Sequence, residues 1–175
     1  MKQSKKIALC GVMTALSVMI MLAAYFPYLT FALPALAGAV FCAVKIETDS
    51  KWAFGSFVAA AILTVLLCEK ESAMMFVSFF GFYPILKSYY EKIPSKVIEY
   101  IVKFATFTAC VVFAYFVIIK LFGIPMEGMG DFGKYTPLIL LAGGEVMFFV
   151  YDLALTQVIT VYMNGMHKRV AKLLK

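Results

Sequence analysis

Lys5–Ala24, KKIALCGVMTALSVMIMLAA, is the stretch whose reading decides the fold. Two lysines precede an uncharged run from Ile7 to Ala24. As a helix rising 1.5 Å per residue, that run reaches roughly 27 Å, close to the ~30 Å hydrocarbon thickness of a bilayer. Basic residues before an apolar run also open secretory signal peptides, but those runs are shorter and end at a small-x-small cleavage site. None follows here, so the stretch reads as a retained first membrane helix.

Working outward, the same pattern recurs. Six apolar segments can be marked: Ile7–Ala24, Phe31–Val44, Trp52–Cys68, Ser72–Tyr90, Val97–Phe122 and Thr136–Met163. The second is the shortest and opens at Pro34, so it is either a short span or a re-entrant segment. The expected fold is an all-α membrane protein: one domain, a bundle of about six transmembrane helices. Composition agrees. Of 175 residues, 63% are hydrophobic and 15% charged, with a mean hydropathy of +0.92. A soluble domain is about half apolar, and this excess is too large for one buried core.

Charge sets the orientation. With the N-terminus inside, 13 of the 16 lysines and arginines fall on the inner side, Lys87 and Lys103 among them. Only Lys70, Lys120 and Lys134 fall outside. Cytoplasmic loops carry such an excess, so both ends are expected in the cytoplasm after an even number of crossings. The net charge of +6 then faces anionic lipid rather than nucleic acid. Cys10, Cys42, Cys68 and Cys110 all lie in or beside apolar runs, at spacings that fit neither zinc nor a disulfide framework.

Two acids stand inside the sixth segment. Glu145 and Asp152 are seven residues apart and share a helix face, roughly 14 and 24 Å from Thr136. A charge at that depth costs about 2.5–3.5 kcal/mol on insertion scales and normally has a partner or a task. Asp152 is expected to pair with Lys103 as a structural ion pair. Glu145 has no evident basic partner at its depth and is the first candidate for a substrate-binding group, with a purely structural role as the alternative. Gly81 and Pro84 predict a bend in the fourth segment, which makes Tyr83 a further candidate contact. Tyr25–Leu33 (YFPYLTFAL) is an uncharged aromatic loop on the expected outer face, so Tyr25 and Tyr28 are candidates to cap a small amphipathic solute. Gly123–Tyr135 holds four glycines and a proline and reads as a loop. The first helix carries Ala8, Gly11 and Ala15, small residues that let another helix approach closely.

Chemistry-bearing motifs are missing from the sequence. It has no G-x-x-x-x-G-K-[ST], no H-E-x-x-H and no G-x-S-x-G. Its one histidine, His167, lies in the basic tail and is expected to be solvated. Neither catalysis nor a metal or other cofactor is expected, and any ATP-driven work would need another subunit.

The opening KKIALCGVMTALSVMIML and the following FPYLTFALPALAGAVF, with the spacing of six apolar segments, resemble the substrate-binding S components of energy-coupling factor (ECF) transporters. That family carries an alanine-x-x-x-alanine motif on its first helix, which docks a shared transmembrane coupling subunit. Gly11–Ala15 stands at that place, with glycine for the first alanine. The resemblance implies a vitamin or micronutrient uptake subunit of the bacterial plasma membrane. Its partners would be a small-molecule solute, the coupling subunit and its ATPases. The competing expectation is a non-catalytic structural membrane protein of cell-envelope or cell-shape machinery. A small lipid-modifying membrane enzyme is a third, disfavoured because no nucleophile or base accompanies the acids.

Overall fold

The computed structural model describes residues 3–26, 29–30, 32–117, 136–167, 170 and 172, with side chains at all of these except 115–117 and 136–140. Among the described residues the chain is helical throughout. Helices α1 (Gln3–Leu22), α2 (Ala32–Glu47) and α3 (Ser50–Leu67) are followed by α4 (Lys70–Met75), α5 (Tyr83–Tyr90), α6 (Lys96–Val117) and α7 (Thr136–Gly165). A 3₁₀ turn, Ala23–Tyr25, extends α1, and a π-helical turn, Phe76–Phe80, joins α4 to α5.

The surface is greasy and the interior holds charge. Leu66, Val97, Phe113, Met147 and Val161 are among many large apolar side chains left exposed, while Lys87, Glu99, Lys103 and Asp152 are buried. Water would penalise the first feature and lipid accommodates it, and in lipid charged side chains turn to the bundle interior and pair there. Among the described residues, four helices are long and apolar enough to cross a membrane: Gln3–Tyr25, Ser50–Leu67, Lys96–Ala114 and Leu141–Gly165. The chain is thus an all-helical membrane protein.

The segment boundaries differ from the sequence reading in instructive ways. α2 runs three residues past Val44, to Glu47, because Glu47 is anchored by side chains of α7 and the tail. The fourth segment starts two residues early and is not one α-helix. At its bend Gly81 N–H bonds the Phe76 carbonyl five residues back, at 2.8 Å, and the helix restarts at Tyr83. Pro84 therefore falls in the first turn of α5, where its missing N–H costs nothing. α6 is described to Val117, and the expected loop Gly123–Tyr135 lies outside the described residues.

α1 packs against α2 and α3, and α2 also touches α5, α7 and the π turn, so it is the central strut. Two hydroxyl groups tie helix to helix: Ser17 Oγ donates to the Ala37 carbonyl at 3.0 Å, and Thr14 Oγ1 to that of Ser56 at 3.4 Å. In apolar surroundings such bonds contribute about 0.6 kcal/mol each. One apolar cluster joins Met21, Phe41, Val44, Phe57, Phe76 and Ile85. The other gathers Cys42, Phe79, Tyr83, Phe107, Phe148 and Leu155 around the Phe79 ring. Gly38 permits the closest approach: a Cβ there would land on the Phe80 carbonyl group of the π turn.

Contacts at the helix ends bring the starts of α1 and α3 and the ends of α2, α5 and α7 together. Lys6 near the start of α1 meets Asp49 between α2 and α3 at 2.7 Å. Tyr89 at the end of α5 bonds Ser50 and Lys45. Glu47 takes hydrogen bonds from Tyr162 at the end of α7 and from His167. These contacts share one end of the bundle. Tyr25, at the finish of α1 and its turn, bonds the Leu67 carbonyl at the opposite end.

Candidate functional site

Along the interface of α6 and α7, residue numbers rise on one helix as they fall on the other. Lys103 meets Asp152, Phe107 stacks on Phe148 at 5.0 Å, and Thr108 meets Glu145. The two acids of α7 therefore occupy two levels. Counting from Lys96 at 1.5 Å per residue, Lys103 is roughly 10 Å and Thr108 roughly 18 Å along α6. The Phe107–Phe148 stack lies between them.

The lower level is a buried ion network. Asp152 Oδ2 lies 2.9 Å from Lys103 Nζ, and its Oδ1 lies 2.5 Å from Lys87 Nζ and 2.7 Å from the Tyr83 hydroxyl. Lys87 also donates to the Asp152 backbone carbonyl at 3.2 Å. Each lysine holds a second acid: Glu91 is 2.9 Å from Lys87, and Glu99 is 2.9 Å from Lys103. Lys96 closes the chain on Glu99 at 2.8 Å. Three acids thus meet three lysines, and charge balances within the cluster. The spacing produces this locally: Tyr83, Lys87 and Glu91 follow at i, i+4 and i+8 on one face of α5, and Glu99 and Lys103 at i and i+4 on α6.

The pairing of Lys103 with Asp152 was legible in the sequence, but the roles of Lys87 and Tyr83 were not. Lys87 reads from the sequence as a surface charge on the inner side, yet its side chain is 0% exposed. Tyr83, expected as a solute contact, is fully buried, and its hydroxyl is committed to Asp152. The signal for both was their four-residue spacing beside the bend, which places them on one stripe facing the core.

The upper level is sparser. Thr108 Oγ1 and Glu145 Oε1 are 2.6 Å apart, and among the described residues the buried Glu145 Oε2 has no hydrogen-bond partner. An unmet carboxylate oxygen in an apolar setting is costly, so a group that satisfies it would bind there with a built-in gain. Gly144 lets the Phe107 ring pack closely on α7, since a Cβ there would press on it at 3.2 Å.

The other expected residues lie apart. Tyr25 is exposed, and its hydroxyl is spent on the end of α3. Tyr28 lies outside the described residues. Among the described residues no hydrogen bond joins Tyr25 or Tyr83 to Glu145. Ala8, Gly11 and Ala15 form an exposed stripe on α1, and a Cβ on Gly11 would meet nothing within 4 Å. His167 is not a free tail residue: its Nδ1 is 2.8 Å from Glu47 Oε1 and the side chain is 35% exposed. All four cysteines are free thiols.

No family model matches the chain, and no curated protein or solved structure gives a significant match.

Proposed function

We propose that this chain is the substrate-binding membrane subunit of an ECF-type vitamin or micronutrient uptake transporter. It crosses the bacterial plasma membrane six times, with both ends in the cytoplasm, and works with a separate coupling subunit and ATPases. The observation that carries this reading is the small-residue stripe of α1. One face of α1 is packed on α2 and α3, while Ala8, Gly11 and Ala15 lie exposed with open space over Gly11. Small residues lower the steric barrier to another helix, and in lipid they are where close backbone packing occurs. The alternating helices, with lysines gathered at one end, support an even number of crossings.

Glu145 is the solute contact in this reading. Its free oxygen asks for a donor or a cation, and the surrounding Phe107 and Phe148 suit a partly apolar molecule. Association with the coupling subunit would then move the solute inward, with ATP hydrolysis supplied in trans. The alternative, a non-catalytic structural protein of the cell envelope, draws on the self-satisfied ion network, which needs no ligand to be stable.

Copurification decides between them. The parent chain should bring down a coupling subunit and an ATPase pair, and Gly11→Leu should abolish that while leaving the protein inserted and folded. Unchanged recovery of the partners in Gly11→Leu removes the docking claim. Native mass spectrometry of the parent should show a retained small molecule that Glu145→Ala loses. Equal retention rules Glu145 out as a contact.

A further inference from the structure

A cavity of about 460 Å³ opens at the lysine-rich end of the bundle, lined by Asp49, Ser50, Lys51, Trp52 and Tyr89. It lies where the turn between α2 and α3 meets the end of α5. Lysines from four parts of the chain converge on its rim. Lys6 of α1 is spent on Asp49 at 2.7 Å. Lys45 of α2 donates to the Tyr89 hydroxyl at 3.3 Å and sits 4.4 Å above its ring. Lys92, just after α5, approaches the same ring at 5.5 Å. Lys51 of α3 is exposed at the mouth.

The acids nearby offset only part of this charge. Asp49 balances Lys6, Glu47 turns away to Tyr162 and His167, and Glu91 pairs with Lys87. Lys51 lines a pocket whose walls include a tryptophan and a tyrosine, and Lys45 and Lys92 reach it over that tyrosine's ring. These two side chains favour the level where lipid headgroups meet hydrocarbon. Basic pockets between membrane helices at the cytoplasmic surface suit anionic headgroups.

We infer that this cavity is a binding site for the phosphate headgroup of an anionic phospholipid, held by Lys45, Lys51 and Lys92. The inference is independent of any transport role. The headgroup phosphate would sit among the three ammonium groups, and its acyl chains would run along the exposed apolar surface that begins with Phe54 on α3.

The test uses the full chain purified in detergent, with lipid retention read by native mass spectrometry. Phosphatidylglycerol should be retained in preference to phosphatidylcholine. Each lysine removed should weaken that preference about fivefold, as expected for roughly 1 kcal/mol of headgroup attraction per cation. The variants are Lys51→Gln alone and Lys45→Gln/Lys51→Gln/Lys92→Gln together, with Lys172→Gln as a control outside the pocket. Equal retention of the two lipids overturns the inference. So does a preference that Lys172→Gln lowers as much as Lys51→Gln. If inorganic phosphate at matched concentration displaces the lipid, the site is one for free phosphate and the lipid assignment fails. Should the triple variant not fold, Lys51→Gln still decides, because its exposed side chain supports no packing.

Discussion

Asp152→Asn isolates the charge at the centre of the buried network. The substitution keeps the shape but removes the negative charge shared by Lys87 and Lys103, at 2.5 and 2.9 Å, and turns one accepting oxygen into a donating amide. Both ammonium groups stay buried. Removing one partner of a buried ion cluster costs about 3–5 kcal/mol, because the charge left behind is uncompensated. Two features hold the cost near the lower end. Lys103 retains Glu99, whose side chain is only 4% exposed, and Lys87 retains Glu91, which is 39% exposed and so a weaker counter-ion. About 3 kcal/mol corresponds to a fall in melting midpoint of roughly 10 °C for a chain of this size. Adding Lys87→Met should restore much of the loss, since it removes the less compensated cation. Lys87→Met alone should cost less than Asp152→Asn, because Lys103 and Tyr83 still serve Asp152. The assay is thermal unfolding in one detergent across the four members of this double-mutant cycle, and the coupling should exceed about 1.5 kcal/mol. Additive losses would refute the reasoning, since they would mean the two groups do not sense each other.

The remaining predictions test packing and surface charge. Gly38→Ala should destabilise the fold by about 3 kcal/mol, because its Cβ meets backbone at Phe80 that cannot step aside, whereas Gly55→Ala, with open space around it, should be neutral or stabilising by up to ~1 kcal/mol; thermal unfolding reads both. Lys6 beside Asp49 holds that carboxyl below the ordinary aspartate range, chiefly through its hydrogen bond. The folded state then favours the ionised form, so the contribution is present above about pH 4 and is lost as pH falls through the lowered value. The melting difference between the parent and Asp49→Asn should accordingly be small but measurable near about pH 6 and shrink as pH falls below about 4. A difference that grew on acidification would contradict this sign.

Much of this protein was readable before any helix was placed in space. Long uncharged runs separated by lysines are a one-dimensional signal, because a bilayer acts on each segment almost independently through its length and charge. That is why α1, α3 and α7 lie close to their sequence segments, why α6 starts one residue from where its segment was expected, and why the opening run was enough to announce a membrane protein. Glu145 and Asp152 stood out for the same reason, since an acid in an apolar run is costly wherever the run goes.

What the chain does with those acids was decided only by packing. Lys87 and Lys103 look alike in the sequence, as basic residues near segment ends. Whether either is solvated depends on which helix lies opposite. The π turn at Phe76–Phe80 and the close approach of Gly38 swing α5 so that Tyr83 and Lys87 reach Asp152. The asymmetry between a saturated Asp152 and a half-satisfied Glu145 arises the same way, from three helices meeting at one level and two at the other. Local composition set the spans, because hydrophobic transfer is a property of each segment. Long-range contacts set the partners, because a buried charge is settled by whichever group the fold brings within 3 Å.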